Sequence, residues 1–391
     1  MKKLKSIFIT AVTAAAALFL CGCPKTEDNV PAAETDALDE AVSAVTPTKS
    51  YVHFLAAGDN LVHSSIYEQA HKRGGGMDYD FTYAYSNAAD LVKSADLAVL
   101  NQETLICNDK YEPSDYPYFN SPTQVGDHML YLGFDVFTIA NNHVLDYGEE
   151  GLLNCLDYWD SRPKAVVAGV YRSRTDKENI RTIKSNNIVF SILSYTENLN
   201  GNTLPEGSPI IIGDAYDLEG IETDIAAAKQ ISDVCVVALH WGVEDSDQVS
   251  NSQLDTAQRL ADAGADIIIG THPHVLRKIE MIERKDGGKT LCAYSLGNFI
   301  SGQSKAQNLI GGILEFDVVP KAGEFNIENV TLTPVISHYG SGYSNNRVYL
   351  YSQYSQELAA KHGVNQWSSF SMDYINNVVT KNIDSQYLKL N

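Results

Sequence analysis

Short apolar runs alternate with amphipathic stretches along most of the chain, and the polar residues that end those runs follow a pattern. Tyr51–Ala57 runs into Gly58-Asp59-Asn60, Asp96–Leu100 into Asn101-Gln102-Glu103, and Phe134–Ala140 into Asn141-Asn142-His143. Further on, Ser232–Leu239 ends at His240-Trp241-Gly242-Val243-Glu244, Ala265–Gly270 at Thr271-His272-Pro273-His274, and Leu291–Gly297 at Asn298-Phe299. Runs of this length, rich in Val, Ile, Leu and Phe, read as strands buried on both faces. Helical periodicity fills Tyr85–Lys93, Gly151–Trp159, Leu218–Lys229 and Gln253–Ala263 between them. The pattern predicts an α/β fold. In open α/β sheets ligands bind beyond the carboxyl ends of the strands, so six runs ending in potential ligands point to one shared site at one edge.

After Leu309 the texture changes. Residues 311–319, 325–336 and 347–352 read as antiparallel strands of a second sheet, and Tyr354–His362 and Ser371–Lys381 as closing helices. No linker interrupts residues 51–391, which favours one large domain of two packed layers flanked by helices.

Composition adds the surroundings. The 391 residues carry 29 Lys+Arg against 49 Asp+Glu, a formal net charge of −20. That acidity excludes nucleic acid as a partner, since nucleic-acid binding needs a basic face. Residues 1–22 have the basic start, apolar run and small-residue end of a lipoprotein signal peptide, with Cys23 as the lipidated first residue of the mature chain. The expected location is therefore extracytoplasmic, with the membrane as a partner through the Cys23 lipid. Residues 1–22 hold three of the 29 basic residues and none of the 49 acidic ones, so their loss takes the charge to −23. Residues 23–50 are acidic and rich in Pro, Ala and Thr, and read as a flexible tether. Cys107, Cys155, Cys235 and Cys292 are far apart and read as buried thiols. Gly74-Gly75-Gly76 lacks the Lys-Ser/Thr of a nucleotide-binding loop.

Asp59, Glu103, Asn142, His143, His240, His272 and His274 are too many ligands for a structural zinc site, which closes with four. Without thiolate, the set suits Mn, Fe, Zn or Co, and it is large enough for two ions with a bridging carboxylate. His272 and His274 alternate about Pro273, so in extended backbone they would point the same way.

In this order, GDN at 58–60, NQE at 101–103, ANNHVLDYG at 140–148, HWGVE at 240–244, GTHPHV at 270–275 and SLGNF at 295–299 resemble the CapA family. These are capsule or poly-γ-glutamate synthesis proteins within the calcineurin-like metallophosphoesterase superfamily. The resemblance spans roughly residues 51–340, leaving residues 341–391 as carboxyl-terminal strands and helices. It implies a four-layer αββα sandwich, two packed mixed sheets flanked by helices, with one or two divalent ions (Mn, Fe or Zn) at the strand ends. By the superfamily pattern, Asp59, Glu103, Asn142, His240, His272 and His274 are metal ligands, with Glu103 bridging. His240 and His272 then share a metal with Asn142, and His274 serves the one nearer Asp59. His143 is the catalytic proton donor or oxyanion stabiliser. Asp146 either orients His143 or caps the following helix. Asn60, Asn101, Trp241, Glu244 and Asn298 would support the histidines or face substrate. One departure stands out. The usual Asp-x-His of the first motif is Asp59-Asn60-Leu61 here, which leaves one metal site a ligand short unless Asn60 or His63 compensates.

The resemblance implies a role in capsule or poly-γ-glutamate synthesis or export. The partners would be an anionic polymer or a cell-envelope phosphoester substrate, and other capsule-synthesis proteins. Whether the centre hydrolyses a phosphoester, serves as a non-catalytic scaffold, or belongs to a ligand-binding lipoprotein stays open at this point. The tyrosines of residues 111–119 and 338–354 could contact a substrate or fill sheet surfaces.

Overall fold

The computed structural model describes residues 49–107, 109–321 and 324–391. The expected signal peptide, Cys23 and nearly all of the tether lie outside the described residues. The strands in chain order are β1 (Val52–Asn60), β2 (Leu97–Gln102), β3 (Val136–Thr138), β4 (Val166–Ala168), β5 (Val170–Tyr171), β6 (Arg181–Ser185), β7 (Ile188–Thr196) and β8 (Ile211–Ile212). They continue as β9 (Val234–His240), β10 (Ile267–Thr271), β11 (Ile279–Glu283), β12 (Lys289–Ala293), β13 (Asn298–Ile300), β14 (Ile310–Lys321), β15 (Glu324–Gly340) and β16 (Ser344–Leu350).

Two mixed sheets result. The first has the order β16-β15-β14-β1-β2-β3-β4, with β13 pairing the end of β1. Its β1, β2, β3 and β4 run parallel, as short apolar strands joined by helical crossovers do. The second has the order β11-β12-β10-β9-β7-β6, parallel from β12 to β7 with an antiparallel strand at each edge. A small antiparallel pair joins β5 to β8.

The inner parallel strands β1, β2, β9 and β10 are buried at nearly every position because each is covered on both faces. In β1, Val52, Phe54 and Ala56 face the core between the sheets, while Leu55 and Ala57 face the helical layer outside. Phe54 lies 5.8 Å from Phe190 of the second sheet and stacks on Phe316 of the first at 4.7 Å. In β9, Val234 and Val236 face the shared core, and Cys235, Val237 and Leu239 face the helices Leu218–Ala228 and Asn251–Ala263. The layers are therefore helices, sheet, sheet, helices. The four cysteines in the described residues are buried and unpaired.

Two expectations change. The strands after Leu309 do not build a second sheet. They extend the first one, because β14 lies antiparallel to β1 from Val52↔Val318 to Ala57↔Ile313. The inner face of this extension is covered by the closing helices Gln356–Lys361 and Met372–Asn382, through Ala359, Ile375 and Val379. The helix expected at Tyr85–Lys93 is broken into Thr82–Tyr85 and Ala89–Lys93. Between them Asn87 turns its amide to the Val348 carbonyl of β16 at 3.0 Å, a polar bond that competes with helix.

One crossing sets the stage for the site. The sixth apolar run starts in the second sheet as β12, leaves it after Ala293, and reaches the first sheet as β13. On the way the Gly297 carbonyl accepts the Asp59 N–H at 2.9 Å. A Cβ on Gly58 would lie 1.8 Å from that oxygen, so no side chain fits there. Gly58→Ala is therefore expected to destabilise the protein by more than about 2 kcal/mol in denaturant unfolding, by forcing β1 off the crossing strand. A midpoint equal to that of the wild type would show that this approach is not fixed.

Candidate metal centre

The carboxyl ends of the parallel strands of both sheets meet in one place. From the first sheet come Asp59 at the end of β1, Glu103 just past β2, Asn142 and His143 after β3, and Asn298 opening β13. From the second come His240 closing β9, Thr271 closing β10, then His272 and His274. The site thus lies between two sheet edges, where the sequence pattern pointed to one. The His272–His274 segment is not extended. His272 has φ 95° and His274 φ 58°, both left-handed and strained for residues with a Cβ. The two rings consequently point to different partners.

On one side the Asn142 Oδ1 lies 2.8 Å from His240 Nε2, and His272 Nδ1 lies 3.1 Å from the same nitrogen. Three lone-pair atoms thus converge with too few protons to bridge them. The Glu103 Oε1 lies 3.7 Å from His240 Nε2 and 3.7 Å from His274 Nε2, midway between the two halves of the site. Glu103 is 1% exposed, and neither of its carboxylate oxygens has a hydrogen-bond partner among the described residues. A buried carboxylate without donors is costly unless a cation satisfies it. Asn142, His240, His272 and Glu103 therefore fit a divalent cation.

On the other side, Asp59, Glu103 and His274 place one donor atom each within 4.8 Å of one another. Asp59 is already well satisfied. Its Oδ1 accepts from Asn101 Nδ2 at 2.7 Å, and its Oδ2 from His274 Nδ1 at 3.1 Å and the His272 N–H at 3.3 Å. The Asn298 amide donates to Gln303 Oε1 and the Asn308 carbonyl, so its oxygen must face His274 Nδ1, at 3.0 Å. With two acceptors at Nδ1, His274 carries a proton there and turns Nε2 toward Glu103. Leu61 fills the place of the missing histidine and is buried. Asn60 does not compensate, because it is locked between Gln102 Oε1 and the Tyr85 hydroxyl, each at 2.7 Å. His63 Nδ1 is engaged by the Gly302 N–H at 3.1 Å. This half is the poorer in free ligands.

Burial holds His240 well below the ordinary imidazole value, with His272 and His274 adding to the effect. Burial, then His274, brings His272 down to about 4. Both rings are neutral, as metal ligands must be. Burial and the neighbouring Asp59 push Glu103 well above the carboxylate range. Burial opposes charge on His274, but Glu103 and Asp59 outweigh it and raise it to about 10, so without a metal Nε2 also holds a proton, which a bound cation would displace.

His143 stands beside this set. Its Nδ1 is 2.8 Å from Asp146 Oδ2, which also accepts the Phe119 N–H at 2.7 Å. Asp146 therefore orients His143 and does not cap the helix Gly148–Asp160, whose first turn has no side-chain cap. Phe119 sets its ring edge-on against His143 at 4.8 Å. Trp241 is a core residue. It stacks on Tyr294 at 5.8 Å and donates its indole N–H to the Tyr294 carbonyl. Glu244 is exposed at the mouth, where its charge acts on Glu103 and His274. Its loop is held by the buried Arg277 guanidinium, which donates to the Val243 and Ser246 carbonyls at 3.0 and 2.8 Å.

Thr271, Glu197 and Asn200 are not among the residues expected from sequence. The Thr271 hydroxyl meets His240 Nδ1 at 3.0 Å, leaving Nε2 to the centre. Glu197 Oε2 accepts the Gly242 N–H at 2.6 Å, and Asn200 Oδ1 accepts from Asn142 Nδ2 at 3.2 Å. The signal for the last two is another apolar run, Ile188–Tyr195, that ends in polar residues like the other six.

With this geometry in place, the comparison with known proteins is specific. The profile of the bacterial capsule synthesis protein PGA_cap family matches residues 53–303, more than half of the chain. The chain belongs to this family. The span matched by the PGA_cap profile contains every residue of the centre from Asp59 to Asn298. Two relatives are the PGA biosynthesis protein CapA of Bacillus subtilis (strain 168) and the capsule biosynthesis protein CapA of Bacillus anthracis. The first is 30% identical over 209 residues, covering 53% of this chain and 52% of the relative. The second is 27% identical over 288 residues, covering 69% and 67%. The chain thus spans about half the length of the Bacillus subtilis relative it matches. Among solved structures, a calcineurin-like phosphoesterase of Bacillus subtilis, YfkN, aligns with a TM-score of 0.40 and 15% identity over 73% of this chain and 90% of that one.

The raised Glu103 carboxyl has a consequence for stability. A carboxyl whose folded value lies above its unfolded value costs stability above the unfolded value, and the cost vanishes at lower pH. Glu103→Gln is expected to raise the stability of the metal-free protein at pH 7–8, a gain that disappears near pH 4. Chemical denaturation at the two pH values checks this; a loss of stability at pH 7–8 would contradict it.

Proposed function

We propose that this PGA_cap-family chain is a metal-dependent hydrolase of the cell envelope that acts on a phosphoester-type bond during capsule or poly-γ-glutamate assembly. The observation that carries the reading is the buried Glu103 carboxylate, without a hydrogen-bond donor among the described residues, beside Asn142, His240 and His272, with an oriented histidine next to it. A divalent cation bound there would lower the pKa of a water ligand and polarise a phosphoryl oxygen. The protein supplies the rest. Asp146 Oδ2 accepts a hydrogen bond from His143 Nδ1–H, leaving Nε2 to give or take a proton at the reacting oxygen. The Phe119 ring packs in a T-shaped arrangement against that imidazole. Thr271 and Asn298 fix which nitrogen of His240 and of His274 faces the centre.

Mn, Fe or Zn fits the mixed nitrogen and oxygen donors. With the lipidated Cys23 read from the sequence, the protein would work on the outer side of the membrane, beside other capsule-synthesis proteins and an anionic polymer. A second reading is a one-cation scaffold without turnover. It is favoured by Asp59, whose oxygens are occupied by protein donors, and by Leu61 in place of a histidine.

Purified protein loaded with Mn, Fe(II) or Zn and assayed on p-nitrophenyl phosphomonoesters and phosphodiesters separates the two. Hydrolysis is expected, reduced by about 10²–10⁴-fold in His143→Ala with metal content unchanged. Bound metal with no turnover on any ester would establish the scaffold.

A further inference from the structure

The loop that follows β7 has one residue facing the centre. Residues 196–199 and 201–204 line a cavity of about 460 Å³ with Ile212 and Tyr216 on its opposite wall, and Asn200 alone turns out of it. The loop is tied to the strand that carries His240. The Glu197 N–H donates to the His240 carbonyl at 3.0 Å, and its carboxylate accepts from the Gly242 N–H. Beyond that anchor the Asn198 side chain accepts the Asn200 N–H at 3.2 Å, and Asn202 N–H closes a turn on the Leu199 carbonyl at 2.9 Å. Asn200 takes φ 52°, a left-handed conformation that asparagine tolerates, and Gly201 follows at φ 76°. This turn presents the Asn200 side chain to Asn142.

Asn142 is 1% exposed and has a two-faced side chain. Its oxygen must face the centre if it is to be a ligand, yet the oxygen and nitrogen ends of an amide have nearly the same shape, and only their hydrogen bonds tell them apart. Among the described residues, the single partner of Asn142 Nδ2 is Asn200 Oδ1, at 3.2 Å. The Asn200 nitrogen lies 3.5 Å from His143 Nδ1, whose proton is directed to Asp146, so that approach is a contact and not a second bond. Without the Asn200 oxygen nothing prevents the Asn142 amide from turning its NH₂ toward His240 Nε2, where a donor would displace a cation.

We infer that Asn200 is a positioning residue whose carbonyl oxygen locks the Asn142 amide with its oxygen toward the cation, making the Glu197–Leu204 loop a working part of the metal centre. The inference rests on the reading that Asn142, His240, His272 and Glu103 hold a divalent ion. Removal of such an outer partner typically weakens metal binding about 10–100-fold.

Calorimetric titration of the full chain with Mn²⁺ tests it, alongside thermal unfolding of the metal-free protein. Asn200→Ala is expected to bind Mn²⁺ about 10–100-fold more weakly. Asn200→Asp keeps an oxygen for Asn142 Nδ2 and is expected to stay within about 3-fold of the wild type with an unchanged metal-free melting temperature, whereas Asn200→Ala is expected to lower that temperature slightly, because alanine is strained at φ 52°. Three results overturn the inference with the metal reading intact: wild-type affinity in Asn200→Ala, equal losses in Asn200→Ala and Asn200→Asp, or an affinity loss in Asn200→Ala that Asn200→Gly, unstrained at φ 52°, does not share. A wild-type protein that binds no Mn²⁺, Fe²⁺ or Zn²⁺ overturns the metal reading itself, and the role of Asn200 with it.

Discussion

Glu103 is a carboxylate placed where no hydrogen-bond donor of the described residues reaches it, at the junction of two sheet edges. Burying such a group unpaired works against folding, so the surroundings have to justify it. They do so with lone pairs instead of protons. His240 and His272 are held neutral by burial, Asn142 offers its oxygen, and His274 turns Nε2 inward because Nδ1 is committed to Asp59 and Asn298. The donor set is destabilising by itself and coherent around a cation, whose charge would reverse the local field. An acidic protein can in this way hold an anionic group at one point of its surface.

The fold concentrates its conformational strain around that junction. The chain passes from the second sheet to the first between Ala293 and Asn298, close enough to β1 that Gly58 has no room for a side chain. His272 and His274 adopt left-handed backbone on either side of Pro273, and Asp245 and Asn200 do so in the loops that flank them. Such conformations persist where the surrounding structure over-determines them. Here the two sheets, sharing the core around Phe54, Phe190 and Phe316, fix both edges and leave the connecting turns to accommodate the geometry.

The division between the two halves of the site follows from single side chains. Asn142, His240 and His272 are free to face a cation. Asp59 is held by Asn101, His272 and His274, and Leu61 brings no ligand. The asymmetry is visible in the sequence as Asp59-Asn60-Leu61. That Asn60 fails to compensate is not, because its role depends on Gln102 and Tyr85 reaching it from other elements. Trp241 illustrates the same limit, since a residue between His240 and Gly242 looks like part of a motif, yet strand alternation turns it into the helical layer.

The sequence by itself determined the six strands that deliver ligands, the ligand types at their ends and the family to which these motifs belong, because apolar runs closed by polar residues are local features. It also held the residues that orient His143 and His274. Tertiary structure alone decided how those ends are shared. The strands after Leu309 could join either sheet, and pairing with β1 settled it. His272 and His274 could point together, and left-handed backbone separated them. Asn200 carried no mark in its own segment beyond a polar run after a strand, and became part of the centre only when the loop folded back onto Asn142. Each of these outcomes depends on contacts between residues distant in the chain, which local pattern does not encode.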